Sequence, residues 1–128
     1  MDAYDPDRSP NPGEWLALDE QLRIHLVEKF HRKARVKLPN IKAHAAFHAI
    51  VENQIAMQHP PVARAMERLS KQGLSRHDCV HAISSVLVHH FHELMTTKTG
   101  DPPAVIQARY DAAVERLTAA GWRAQADE

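Results

Sequence analysis

The stretch IKAHAAFHAIVENQIAM, residues 41–57, decides how this chain folds. Phe47, Val51 and Ile55 recur every fourth residue with Ile41 on the same side, the spacing of an amphipathic helix and not of a strand. Asn40 stands before the stretch as a good N-cap, and Pro39 closes the connection that leads to it. His44, His48 and Glu52 share the face, spaced H-x-x-x-H-x-x-x-E. With His44 at zero on the helical wheel, His48 falls at about 40° and Glu52 at about 80°, while Val51 and Ile55 fall at about −20° and about 20°. The polar trio therefore lies inside the apolar stripe, where an imidazole or carboxylate needs a partner to offset its lost hydration.

Outward from this helix the rest of the chain also reads as helices. Residues 1–13 hold three prolines, one glycine and three aspartates, so they read as a flexible N-terminal arm ahead of a helical domain over 14–123 and a tail over 124–128. From Glu14 to about Arg35, Trp15, Leu18, Leu22, Leu26 and Phe30 predict one long amphipathic helix. His59, Pro60 and Pro61 stop the second helix and start a third, which carries Val62, Met66 and Leu69 and ends at Gly73. Ser75 and Asp78 form a capping box for a fourth, running to about Thr97 through Val80, Ile83, Leu87, Phe91 and Leu94. Asp101 is expected to cap a fifth, with Pro102 and Pro103 in its first turn and a stripe of Ile106, Tyr110, Ala113 and Leu117. Gly121 is expected to close that helix, with Trp122 folding back on Leu117 in a Schellman ending. No alternating pattern occurs, so the class is all-α: a single-domain four- or five-helix bundle with short connections.

Composition narrows the function. Sixteen basic residues against sixteen acidic ones leave no whole-molecule field for nucleic acid or an anionic membrane, so neither is an expected partner. No apolar run approaches the roughly 20 residues of a spanning helix. A lone cysteine, Cys79, cannot form an internal disulfide, and Asp2, Asp5 and Asp7 occupy the place where a signal peptide is basic and then apolar, so the expected location is the cytosol. Ten histidines stand out beside two Trp, two Tyr and three Phe, because imidazole titrates near neutrality and is the commonest metal ligand.

The fourth helix repeats the arrangement of the second. His77 and His81 are again four apart, about 40° from each other and among Val80 and Val88. If the second, third and fourth helices run up, down and up, the second and fourth begin at the same end, and His44, His48 and Glu52 stand level with His77 and His81. Four nitrogens and a carboxylate are then expected to converge on one divalent ion. Zinc is the first choice, with iron, copper and nickel also suited to imidazole. With a coordination position open to water, Glu52 would be the general base of a hydrolase; iron or copper in the same place would support an oxidase. The alternative is a non-enzymatic interaction module, in which the histidines form a structural hydrogen-bond network and an apolar face docks another chain or builds a homodimer.

The segments HAAFHAIVENQIA (44–56) and GLSRHDCVHAISSVL (73–87) resemble the two hallmark segments of a family of small bacterial proteins catalogued as a domain of unknown function. In that family an H-x-x-x-H-x-x-x-E-x-Q helix is followed by an H-x-x-x-H helix. The match falls on His44, His48, Glu52, Gln54, His77 and His81 and covers roughly residues 40–97. It implies no reaction, and it singles out the residues that the helical wheel selects.

Other patterns have simpler readings. His92-Glu93 lacks the second zincin histidine, since position 96 is Thr. Glu28 and His31 have the E-x-x-H spacing of di-iron bundles in a single copy. His77-Asp78 matches the HD dipeptide of helical phosphohydrolases, but Asp78 has a role in the capping box. Cys79 points away from the histidines, as a packed residue. The cluster Arg32, Lys33, Arg35, Lys37 and Lys42 fits cations at a helix C-terminus. His25, His59 and His92 lie at the edges of the stripes, where membership of a site is open.

Overall fold

The computed structural model describes residues 1–35, 40–97 and 100–126; Lys37, Pro39 and the last two residues of the expected tail lie outside them. The class is all-α, as expected, with seven helices and no strand among the described residues. The chain divides into two compact units, residues 1–59 and 60–128.

The first unit contains α1 (Pro12–Ala17), α2 (Glu20–Lys33) and α3 (Ile41–Ala56). The single helix expected from Glu14 to Arg35 is broken in two. Leu18 turns extended, and the Asp19 side chain accepts the amide of Gln21 to cap a new helix, so the apolar spacing runs straight through a break that only the cap marks. Asn11 caps α1 by accepting from the Glu14 amide, with Pro12 in the first helical position. Asn40 caps α3 as expected, accepting from the Ala43 amide at 3.1 Å. The helices α2 and α3 run antiparallel. Arg23 near the start of α2 donates to the Asn53 side chain near the end of α3, and His31 at the end of α2 meets His44 at the start of α3. Trp15 is wholly buried, and its indole N–H donates to the same Asn53 oxygen at 2.8 Å. The core is completed by Leu26, Val27, Ala45, Ala49 and Tyr4, the last from the stretch read as an arm.

The second unit contains α4 (Pro60–Lys71), α5 (Arg76–Thr97), α6 (Pro103–Arg116) and α7 (Ala119–Ala126), with α4, α5 and α6 packed on one another. A Schellman-type ending does occur, but at α4. Gly73 adopts φ 98°, open only to glycine at low cost, and the Leu74 amide reaches back to the Leu69 carbonyl at 3.1 Å. Ser75 then accepts the Asp78 amide and starts α5. Two sequence expectations fail here. Asp101 does not cap α6, whose N-cap is Pro102; its carboxylate pairs instead with Arg109. Gly121 and Trp122 lie inside α7, because Leu117 turns extended and Thr118 starts a new helix by accepting the Gly121 amide. Arg68 satisfies the carbonyls of Val114 and Leu117 at the end of α6, the task expected of the Schellman turn. Phe91, placed by its spacing in a core stripe, is 49 % exposed, as are its neighbours Val88 and Met95 in similar measure.

Candidate metal centre

The first-unit site grows from α3. The Asn40 cap fixes where α3 begins, and steps of four carry His44, His48 and Glu52 along one face. His44 is half-buried, whereas His48 and Glu52 are fully buried, at 0 % and 1 % exposure. Burial of two such groups without partners would cost several kcal/mol, so the surroundings must supply donors and acceptors.

Those partners come from α2 and from the N-terminal segment. His31 is fully buried, and its Nδ1 lies 2.8 Å from the carbonyl of Val27, one turn earlier. A carbonyl can only accept, so Nδ1 carries the hydrogen and Nε2 presents its lone pair. That Nε2 stands 3.1 Å from Nε2 of His44. The rings of His31, His44 and His48 are mutually edge-on, with centroids 4.6, 5.3 and 5.9 Å apart. Each offers a ring nitrogen, and these lie within 4.8 Å of one another. Two nitrogens bound tetrahedrally to zinc at about 2.0–2.1 Å are about 3.4 Å apart, so small ring rotations bring the three into bonding range. Tyr4 reaches the site from the chain start: its hydroxyl donates to Glu52 Oε2 and lies 2.9 Å from His48 Nε2. Beyond Glu52 is a cavity of about 70 Å³ lined by Ser9, Pro10, Pro12 and Trp15, large enough for water.

In the second unit His77 and His81 are half-buried, one turn apart on α5 just after the Ser75 cap. Their Nε2 atoms are 3.1 Å apart and their rings 4.2 Å apart at 53°, so this pair too points its nitrogens at a common place. Of the residues singled out from sequence, the first unit thus gathers His44, His48 and Glu52 on α3, and the second unit gathers His77 and His81 on α5.

Two participants escaped the sequence reading. His31 enters the sequence reading through the E-x-x-H pattern and not as a ligand beside His44 and His48, and its partner in that pattern, Glu28, is turned to Arg32 at 2.7 Å, whose guanidinium holds the Glu28 carboxyl below its ordinary value. The signal for His31 was its place one turn after Val27, about 40° away on the wheel, because Val27 is part of the buried face. Tyr4 carried no periodic signal, being an isolated aromatic among prolines and aspartates. The remaining histidines are peripheral: His25 and His92 are exposed, His59 is half-buried, and His89 pairs with Glu93 at 3.2 Å. Cys79 is buried with its thiol toward the Leu74 carbonyl, as a packed residue should be. No helix among the described residues is long and apolar enough to cross a membrane. Comparison with protein-family models, curated proteins and solved structures gives no match.

Proposed function

We propose that this protein binds one divalent transition metal ion through His31, His44 and His48 of the first unit. The observation that carries the reading is the first-unit triad, whose three ring nitrogens lie within 4.8 Å of one another. Bare imidazoles packed this closely gain little from each other, whereas an ion satisfies all of them at once. Zinc is the first choice for three imidazole nitrogens with one position left to water; iron, copper and nickel accept the same ligands. Glu52 is too firmly tied to Tyr4 to be counted first among the ligands, and it takes the role of a base at the edge of the site, next to the water-sized cavity. The reaction that fits is hydrolysis with a metal-activated water, in the cytoplasm.

The test is elemental analysis of protein purified without an affinity tag, followed by thermal melting with and without a strong chelator. About one ion per chain is expected, together with a fall in the melting midpoint on chelation, because an ion bound only by the folded state stabilises by about 2.7 kcal/mol at a hundredfold excess over Kd. Acidification below about pH 6 should release the ion, since protons compete for imidazole lone pairs. Glu52→Gln should retain the ion and lose turnover. A second reading rests on the chain of hydrogen bonds itself: Val27 carbonyl to His31, His31 to His44, and His48 to Tyr4 to Glu52 form a polar network of an interaction module. Metal-free protein with chelator-insensitive melting would select that reading.

A further inference from the structure

The N-terminal segment contributes more to the site than cover. Tyr4 is 4 % exposed, with its ring edge-on to Phe30 and to His48 and tilted against Trp15. A phenol buried among rings has a fixed direction, and here the hydroxyl lies between an imidazole and a carboxylate. The hydroxyl has one hydrogen, which it gives to the Glu52 carboxylate. Toward His48 the same oxygen can then only accept, so the hydrogen of the imidazole must sit on Nε2, leaving the lone pair on Nδ1.

We infer that Tyr4 is a positioning residue that sets the His48 tautomer and thereby selects Nδ1 as the nitrogen His48 gives to a metal ion. The inference rests on the metal-binding reading above. Glu52 acts through Tyr4 in this arrangement: it holds the phenol hydrogen and so keeps the phenol oxygen an acceptor. The chain Glu52, Tyr4, His48 is an outer-shell relay of orientation, equivalent to the carboxylate–histidine pairing common around zinc but with a phenol interposed. Its consequence is coupling. Residues 1–11 supply Tyr4 and are joined to the core through α1, where Trp15 is bonded to Asn53, so seating of the N-terminal segment and readiness of the site become one event.

The test uses the full chain and the variant Tyr4→Phe, which keeps the buried ring and removes only the hydroxyl. In metal-free protein, long-range proton–nitrogen correlation of the imidazole rings reads the tautomer directly. The wild type should show His48 with hydrogen on Nε2, and the variant should show a mixture of both tautomers. Competition with a chromogenic chelator should then give a zinc Kd raised roughly 10- to 100-fold in the variant, the usual worth of an outer-shell partner. Unchanged thermal melting of metal-free Tyr4→Phe, within a few degrees, separates orientation from loss of fold, and Glu52→Gln, whose amide oxygen can still accept the phenol hydrogen, should keep the wild-type tautomer. Wild-type protein with His48 hydrogen on Nδ1, or a variant whose tautomer and zinc Kd both match the wild type, overturns the inference. Wild type that shows the Nε2 tautomer but binds no zinc defeats the metal-binding reading and, with it, the role of Nδ1, while the tautomer result for Tyr4 stands separately.

Discussion

The two units bury very different interiors. In the second, the largest fully buried side chains are Val62, Leu69, Val80, Ile83 and Val114, and among the described residues Ser84 is the one buried polar residue, so removal of apolar surface from water accounts for the packing. In the first, Trp15, Val27 and Val51 share the interior with His31, His48 and Glu52, all at 1 % exposure or less. An apolar interior explains itself through stability. A polar one must be held by its partners, and here each buried polar side chain reaches for another: His31 for His44, His48 for Tyr4, Tyr4 for Glu52. The difference separates an interior that burial of apolar surface explains from one that depends on the pairing of its polar groups.

The strongest way to break that contrast is to cut into both interiors. Trp15→Ala should destabilise the protein by about 3–5 kcal/mol and lower zinc affinity as well, because the indole supports both Tyr4 and Asn53. Leu69→Ala should cost about 2–5 kcal/mol and leave the zinc Kd of the folded protein unchanged. Urea titration paired with zinc competition measures both quantities, and an equal loss of zinc affinity in the two variants would erase the distinction. At a smaller scale, the two caps can be compared. Asn40→Ala and Ser75→Ala each remove an acceptor for one helix amide, at about 1 kcal/mol apiece. Asn40→Ala should also loosen His44 and His48 in the turns beyond it, so a modest rise in zinc Kd should accompany its lower urea midpoint, whereas Ser75→Ala should lower the midpoint alone.

The smallest effect concerns Cys79. Burial, aided by the nearby Asp78 charge, pushes its thiol above the ordinary value. The folded state therefore keeps its proton to higher pH than the unfolded state, and this group favours folding less as pH rises through the unfolded thiol's range, near 9. Alkylation at pH 8 should accordingly be slow in native protein and fast in urea; rapid native alkylation would contradict the packed placement.

The helices with strong start signals were legible. Asn40 and Ser75 marked α3 and α5 because a side-chain oxygen before an apolar stripe has one common use, and Gly73 marked the end of α4 because its positive φ suits glycine. The breaks after Ala17 and Arg116 were hidden, since apolar spacing continues across them and the interrupting contacts come from elsewhere in the chain: Arg23 on the carbonyls of Leu16 and Leu18, Arg68 on those of Val114 and Leu117. Within the site, His44, His48 and Glu52 were visible because a helix places every fourth residue on one face. His31 and Tyr4 were not, for they join through the pairing of α2 with α3 and through the path of the chain before α1, neither of which has a periodic imprint.

Each half of the chain carries one of the two tryptophans, Trp15 wholly enclosed and Trp122 partly open to water. Their emission should accordingly differ in colour, the enclosed indole to the blue of the other. Replacing either one by phenylalanine leaves an optical probe confined to one half, so melting of the half that buries His31 and His48 and of the half with the apolar interior can be followed separately without any added label.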